Sequence, residues 1–253
     1  MLLTMSKISS DAIGVEAEDK YIIDESLNES KFAVRIDDGV MYDIVGDHLA
    51  HDAKHFTQGL TYSKSSDILF QSNGQNKKSS VCRLNATTGL TLNCIKMEDK
   101  YFGEGLQVYG DPGDEKLIQI TWKSKEGFIY DSETLDIIKK FTFSTARDEG
   151  WGICHDRDNH LFIVSDGSEY LHFWDEETLE ETHRVSVTRM NGRKAEKINE
   201  LEFVNGKVLA NIWYEDVIVI IDPVSGHCES EYGTFLFSSL HNPTHLTPNN
   251  MRL

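Results

Sequence analysis

Short hydrophobic runs separated by polar turn residues recur along the chain, and helical periodicity is weak throughout. The runs are rich in β-branched and aromatic residues, a composition typical of β-strands. The clearest runs cover residues 117–122, 127–130, 137–143, 161–165, 208–213 and 217–221. This pattern predicts an all-β protein built from many short strands.

The strand pattern repeats about every 46 residues. Each unit opens with a similar motif, and the positions taken as equivalent are Gln58, Glu104, Trp151 and Glu200, at intervals of 46, 47 and 49 residues. A second series, in which side-chain oxygens can bond the N–H groups of a turn, consists of Asn85, Asp131, Asp175 and Asp222. Four strands in a repeat of this length predict a β-propeller, in which each unit is one blade around a central channel.

Four units are clear, from about Phe56 to Phe235. Upstream, possible strands within residues 21–45 could complete a blade begun by the carboxy-terminal segment. We therefore expect a poorly defined extension over residues 1–40, a propeller domain over residues 41–237 and a disordered tail over residues 238–253, where the sequence is polar and broken by prolines.

Composition narrows the choice of partners. The 253 residues include 42 acidic and 25 basic ones, which gives a formal net charge of −17. Because a phosphate backbone is bound by basic surfaces, this charge excludes nucleic acid and disfavours anionic lipid and acidic substrates. No apolar stretch approaches the length of a membrane span. The sequence thus predicts a globular protein without a nucleic-acid or membrane partner.

Residues that often bind metals are numerous but poorly spaced for that purpose. The four cysteines, which lack the close pairs of zinc sites, are Cys82, Cys94, Cys154 and Cys228. The histidines that lie near one another, along a polar loop or in the tail, are His48, His51, His55, His241 and His245. Solvated loop histidines are therefore the favoured interpretation, and no metal is expected.

Cys82 and Cys94 lie symmetrically about the turn-like run 85–89, so they could face each other in a hairpin. Two unpaired, small apolar residues are nevertheless the favoured interpretation, because disulfides depend on a compartment that the sequence does not assign. The amino terminus lacks the apolar run of a secretory signal. Sequons at Asn28 and Asn85 hint at secretion.

Eight short motifs occur in order along the chain: Phe-Thr-Gln-Gly-Leu at 56–60, Tyr-Phe-Gly-Glu-Gly-Leu at 101–106, Ile-Thr-Trp at 120–122, Gly-Phe-Ile-Tyr-Asp at 127–131, Gly-Trp-Gly at 150–152, Ser-Asp-Gly at 165–167, Ile-Asn-Glu-Leu-Glu at 198–202 and Ala-Asn-Ile-Trp at 210–213. With these motifs the chain resembles the papaya-type glutaminyl-peptide cyclotransferases. The resemblance implies a five-bladed β-propeller that converts the N-terminal glutamine of a peptide or protein to pyroglutamate, with release of ammonia and without a cofactor. It also suggests the secretory pathway or the extracellular space.

The resemblance also implies the site residues, motif by motif. Glu104 is the candidate general acid/base, and Asn199 is the amide that hydrogen-bonds the substrate. The implied substrate pocket consists of Phe56, Gln58, Phe102, Trp122, Trp151 and Trp213. These types suit the chemistry: a partly desolvated carboxyl can carry a proton from the attacking α-amine to the departing nitrogen, indole walls can fold the glutamine, and an amide can stabilise an oxyanion.

The residues alone lead part of the way to this site. Trp122, Trp151 and Trp213 fall near the first or second strand of successive units, closest to the propeller axis. Glu104 and Glu200 hold equivalent positions in alternate units, so both would ring one end of the channel. Blade-to-blade packing is the alternative for Trp122 and Trp213. For Glu200, a hydrogen-bonded carboxylate that fixes a neighbouring strand is favoured.

The resemblance predicts one segment that the sequence lacks. Family members continue after the Ala-Asn-Ile-Trp blade with an Asn-Gly-Ile-Ala-Trp motif and a Thr-Gly-Lys segment whose lysine lies in the active site, and neither occurs in residues 214–253. We therefore expect four clear blades and an incomplete fifth.

Two other functions remain open. A propeller that binds peptide or protein partners without catalysis needs only the fold, which hosts many activities. A calcium-dependent, lactonase-like propeller needs acids and asparagines around its channel, and Glu104, Asn199 and Glu200 could imitate that arrangement.

Overall fold

The computed structural model describes residues 49–233, together with the backbone of two short strands, β1 (Ala33–Arg35) and β2 (Met41–Asp43), which pair antiparallel. The expected tail over residues 238–253 lies outside the described residues, as does most of the expected extension over residues 1–40. The sequon at Asn28 and the histidines His48, His241 and His245 lie outside them as well.

Residues 49–233 form sixteen strands in four sheets and contain no helix. Blade 1 consists of β3 (Thr57–Ser63), β4 (Ile68–Asn73), β5 (Ser80–Asn85) and β6 (Thr91–Lys96). Blade 2 consists of β7 (Gly103–Tyr109), β8 (Lys116–Thr121), β9 (Glu126–Asp131) and β10 (Ile137–Thr142). Blade 3 consists of β11 (Ile153–Asp156), β12 (Leu161–Val164), β13 (Tyr170–Asp175) and β14 (Glu181–Ser186). Blade 4 consists of β15 (Ile198–Val204), β16 (Lys207–Ile212), β17 (Val217–Ile221) and β18 (Cys228–Gly233).

Each blade is an antiparallel meander in which consecutive strands are neighbours. The first strand of each blade packs against the first strand of the next, so the inner strands of the propeller are β3, β7, β11 and β15. The predicted all-β propeller is thus confirmed with four blades in the described part of the chain, where the resemblance implied five. Within residues 49–233, no helix is long and apolar enough to cross a membrane.

Three apolar clusters fill the spaces between successive blades. The first joins Phe70 of blade 1 to Leu117 and Phe128 of blade 2. The second, between blades 2 and 3, includes Ile120 and Phe162. The third, between blades 3 and 4, is formed largely by isoleucine, leucine and valine side chains. Each blade is therefore stabilised by burying one or both sheet faces against its neighbours.

The second repeat series forms the turns between the third and fourth strands. In each turn one side-chain oxygen accepts N–H groups two and three residues further on, and the acceptors are Asn85, Asp131, Asp175 and Asp222. The residue four positions after each acceptor has a left-handed backbone: Gly89, Leu135, Leu179 and Gly226. The predicted turn chemistry is confirmed in all four described blades.

The inner strands approach one another backbone to backbone. Gly105 of β7 donates its N–H to the carbonyl of Trp151 at 2.7 Å. A Cβ at Gly105 would lie 2.7 Å from the nitrogen of Ile153, and a Cβ at Gly152 would collide with the carbonyl of Asn199. Only residues without a side chain permit this approach.

Strand pairing fixes the register of the fourth unit. Leu106 of β7 pairs with Gln119, three residues before Trp122. Leu201 of β15 pairs with Ala210, three residues before Trp213. Leu201 is therefore the counterpart of Leu106, and the residues two positions earlier, Asn199 and Glu104, correspond.

The expected equivalence of Glu200 with Glu104 is thus wrong by one residue. The sequence motif was aligned on its acidic residue, whereas the register depends on the strand pairing. The corrected series is Gln58, Glu104, Trp151 and Asn199, with intervals of 46, 47 and 48 residues. Glu200 instead occupies the position that is glycine in the other three blades, at Gly59, Gly105 and Gly152.

Cys82 and Cys94 form a disulfide bond. They lie directly opposite each other on β5 and β6, which is the hairpin arrangement that the sequence left open. The favoured interpretation of two unpaired cysteines is therefore wrong. Cys154 and Cys228 are buried free thiols.

We predict that Gly105→Ala destabilises the protein by about 1–3 kcal/mol, because the new Cβ must displace backbone atoms of β11 rather than a mobile side chain. Chemical denaturation measures the change. Gly233→Ala is the matched control, since its Cβ would meet nothing closer than the Asp216 carbonyl at 3.8 Å. Equal stability of the two variants would contradict the prediction.

Candidate functional site

The corrected register brings three sets of equivalent residues to the channel end where the inner strands begin. The channel ring consists of Gln58, Glu104, Trp151 and Asn199. The rim ring, two residues earlier in each blade, consists of Phe56, Phe102, Glu149 and Lys197. The wall positions, each three residues after the partner of the inner-strand residue that follows the glycine position, are Gly74, Trp122, Gly167 and Trp213. All eight site residues implied by the resemblance belong to these sets.

Glu104 is the buried acid of the channel ring, with only 6% of its surface exposed. Gln58 of the neighbouring blade donates its side-chain N–H to Glu104 Oε2 at 2.9 Å. Burial raises the pKa of the Glu104 carboxyl well above its usual range, the Gln58 hydrogen bond opposes that rise, and the negative charge of Glu149 adds to it. Glu104 is thus a carboxyl that holds its proton more tightly than an exposed glutamate.

Two indoles meet at one carboxylate beside Glu104. Trp122 and Trp151 each donate an indole N–H to Glu149 Oε2, at 2.7 and 2.9 Å. Phe102 packs edge-on against Trp122, with ring centroids 5.6 Å apart. Trp213 packs edge-on against Trp151, with centroids 5.3 Å apart. The two ring pairs, linked by Glu149, form an aromatic wall along the channel end.

The exposure of these rings decides between a pocket and blade packing. Trp151 is buried, whereas Trp122 is half-buried and Trp213 is 39% exposed. Phe56, on the rim, is 53% exposed. Rings that served only to pack one blade on the next would be covered, as Trp174 is between blades 2 and 3. Trp122 and Trp213 therefore do not serve blade packing alone.

Asn199 is held through its backbone rather than its amide. Its carbonyl accepts the hydroxyl of Ser165 at 2.6 Å, and the same hydroxyl accepts the N–H of Gly152 at 2.8 Å. This link ties blade 3 to blade 4 beside the channel ring. The half-buried Asn199 side chain shares the ring with Glu104.

Below the ring, β15 carries two further acids, Glu200 and Glu202, which are half-buried as whole residues; the Glu200 carboxylate oxygens are shielded from solvent. Burial raises the pKa of Glu202 to about 7. It also raises the pKa of Glu200 well above the usual range, with repulsion from Glu202 and Glu104 adding to the rise; the Leu60 N–H opposes it but falls short of a hydrogen bond. Neither Glu200 oxygen accepts a hydrogen bond within the described residues, so the expected hydrogen-bonded strand anchor stays a prediction.

One group of potential metal ligands lies among the described residues, at His55, Cys82 and Cys94. Both sulfurs are used in the disulfide, so the two thiolates that a metal would need are not present. His51, on the same loop, is exposed and hydrogen-bonds Thr57.

Glu149 is the site residue that the sequence reasoning missed. It directly precedes the Gly-Trp-Gly motif at 150–152, in which only Trp151 was a predicted site residue. The corrected register supplies the signal, since it places Glu149 in the same ring as Phe56 and Phe102. Lys197, the fourth member, is exposed, and its ammonium lies 5.3 Å from the ring centre of Tyr214.

Comparison with known proteins identifies relatives of this chain. The glutamine cyclotransferase family profile matches residues 22–246. A glutaminyl-peptide cyclotransferase of Arabidopsis thaliana is 38% identical over 190 residues, which are 75% of this chain and 55% of that protein. The chain thus spans about half the length of this curated relative.

Solved structures resemble the propeller to different degrees. The glutaminyl cyclase of Myxococcus xanthus superposes with a TM-score of 0.68 at 26% identity, covering 79% of this chain and 80% of that one. The WD40 repeats of RRP9 superpose with a TM-score of 0.50 at 12% identity, over 74% of this chain and 53% of that one. The second likeness reflects the fold alone.

We predict that the protein loses stability as the pH rises from about 4.5 through 7, because Glu202 binds its proton more tightly in the folded than in the unfolded state. Glu202→Gln should reduce this loss by about 3 kcal/mol, the free energy of such a shift. Urea denaturation from pH 4.5 to 8.5 measures the effect. Glu133→Gln, on an exposed turn, is the control, and a Glu202→Gln profile parallel to the parent's would refute the assignment.

Proposed function

The chain belongs to the glutamine cyclotransferase family, and from this membership we infer that it converts the N-terminal glutamine of peptides or proteins to pyroglutamate, with release of ammonia. The observation that carries the proposal is the buried Glu104 carboxyl, hydrogen-bonded by Gln58 and flanked by an aromatic wall. A single proton-carrying group beside an apolar wall suits an intramolecular reaction that needs no second substrate.

Glu104 would act as the proton carrier. The neutral α-amine of the substrate attacks the γ-carboxamide carbon, so a carbon–nitrogen bond forms and an amine proton passes to the Glu104 carboxylate. The bond from the γ-carbon to its amide nitrogen then breaks, and Glu104 returns the proton to that nitrogen, which leaves as ammonia. A pKa raised by burial brings the carboxyl closer to neutral pH, where both transfers are effective.

The remaining channel-end residues would shape and stabilise the substrate. Ring closure requires a folded glutamine side chain, and rigid walls such as Trp122, Trp151 and Trp213 reduce the entropy lost in reaching that shape. The Asn199 amide would donate a hydrogen bond to the oxygen that becomes negative during the attack. Phe56 and Phe102, on the rim, would contact the peptide beyond its first residue.

The fold would be the five-bladed propeller that the family resemblance implies, with four clear blades and an incomplete fifth in this chain. The described residues account for four, with the same strand order in each. A crystal structure of the full chain would count the blades directly. The acidic net charge of −17 agrees with substrates that carry a basic amine rather than phosphate.

We predict that the full chain releases ammonia from a Gln-initiated dipeptide, and that the product shows the mass loss of cyclisation. Glu104→Gln should lower kcat by about 10²–10⁴-fold, the range that general acid–base groups contribute. A coupled ammonia assay and mass spectrometry measure both quantities.

Glu177→Gln is the control, because Glu177 is an exposed turn residue outside the site, and it should keep the parental rate. Parental turnover in Glu104→Gln would remove Glu104 from the mechanism. Binding of the dipeptide without turnover by the parent would favour a non-catalytic binding protein, and a calcium requirement would favour the lactonase-like alternative.

A further inference from the structure

The carboxylate of Glu149 is shared by two indoles of the aromatic wall. Trp122 belongs to blade 2 and Trp151 to blade 3, yet both N–H groups converge on the same oxygen, Oε2. Hydrogen bonds to an ionised acceptor are stronger than neutral ones and more demanding in geometry. The shared oxygen therefore fixes the orientation of two rings across a blade boundary.

Both indoles have a further contact on a ring face, in addition to the hydrogen bond at the N–H edge. The Lys123 ammonium lies 3.9 Å from the ring centre of Trp122 and 3.7 Å from Glu149 Oε1. The Trp151 ring lies against Gly167, where a Cβ would come within 2.5 Å of it. Each ring thus has a further contact on one face, and Glu149 accepts the N–H at its edge.

The backbone of Glu149 is hydrogen-bonded at both its N–H and its carbonyl. Its N–H donates to the Thr145 hydroxyl at 3.1 Å, and that hydroxyl donates to the Glu149 carbonyl at 2.7 Å. In the same loop, the Arg147 N–H donates to the buried carboxylate of Asp166 at 2.7 Å. Asp166 lies 3.3 Å from the fully buried His172. The loop that presents Glu149 is therefore tied to the interior of blade 3.

We propose that Glu149 is a positioning residue, whose carboxylate joins Trp122 and Trp151 into one rigid wall and so sets the width of the pocket for the glutamine side chain. The effect of Glu149 on glutamine binding rests on the proposed function. Its effect on the orientation of Trp122 and Trp151 does not, because that follows from the two hydrogen bonds alone. It assigns Glu149 no contact with the reacting atoms.

The charge of Glu149 gives a second, separable effect. Its negative charge contributes to the raised pKa of Glu104, so removing that charge should lower the pKa of Glu104. A glutamine at position 149 keeps an oxygen with two lone pairs, which can still accept both indole N–H groups. An alanine removes the acceptor as well as the charge.

The test compares Glu149→Ala with Glu149→Gln by NMR of the four indole N–H groups and by kinetics. In Glu149→Ala, the Trp122 and Trp151 resonances should shift and exchange faster with solvent, while buried Trp174 serves as the internal reference. KM for a Gln-initiated dipeptide should rise roughly tenfold, with a smaller change in kcat, because the walls lose their preorganisation.

Glu149→Gln should restore both resonances and keep KM within about threefold of the parent, since the acceptor is retained. The limb of its pH profile that reports Glu104 should move to lower pH, which a purely structural role would not produce. Glu177→Ala serves as the surface control.

Unchanged indole resonances and KM in Glu149→Ala would overturn the proposal. So would a Glu149→Gln variant as impaired in both readouts as Glu149→Ala, because the retained oxygen would then be irrelevant. If the parent shows no turnover, the proposed function fails, and the indole resonances of the two variants still decide whether Glu149 positions the wall. Glu149→Gln also keeps the comparison possible if Glu149→Ala does not fold.

Discussion

Direct contact between the backbones of successive inner strands governs the whole structure. At Gly105 and Gly152 the absence of a side chain lets the next inner strand come within hydrogen-bonding distance. The Gly105 N–H donates a hydrogen bond to the Trp151 carbonyl there. Because the strands lie in register at these contacts, the residue before each glycine stands at the same height along the axis. The channel ring is a direct consequence, since Gln58, Glu104 and Trp151 are those residues.

The close approach of the inner strands also determines the electrostatics of the channel end. Tight strands exclude water, so a carboxyl in the ring pays a desolvation penalty when it ionises. Glu104 has Gln58 as a partner, whereas Glu200 has no hydrogen-bond partner among the described residues. A strongly acidic protein thus places three glutamates, Glu104, Glu200 and Glu202, where burial raises their pKa values, and Glu104 lies beside the aromatic wall.

Much of this architecture could be predicted from the sequence, because the repeat is a local pattern. Strand content, turn chemistry at residues such as Asp131, and the tryptophans near the axis all follow from short-range signals. The register of the fourth unit could not be predicted in this way, because it depends on which residues pair across strands. The counterpart of Glu104 is Asn199, whereas the motif pointed to Glu200, one position later.

Contacts between distant residues were the other missing information. The Cys82–Cys94 bond required knowing that the two residues are directly opposed in a hairpin. Glu149 was overlooked because its role comes from two indoles, one of which is 27 residues away along the chain. The site residues implied by family resemblance were brought together at one channel end, but the resemblance was silent about the residue that joins them.

Glu200 makes the inner strand of blade 4 different from the inner strands of the other three described blades. In the other three units the corresponding residue is glycine, so a duplicated copy of blade 2 or blade 3 would allow the inner strand of the following blade to approach as closely. A duplicated blade 4 would instead place a carboxylate where two backbones must meet. The four units are therefore not equivalent at this position, and a glutamate in place of Gly105 or Gly152 would press its side chain against the backbone of the next inner strand.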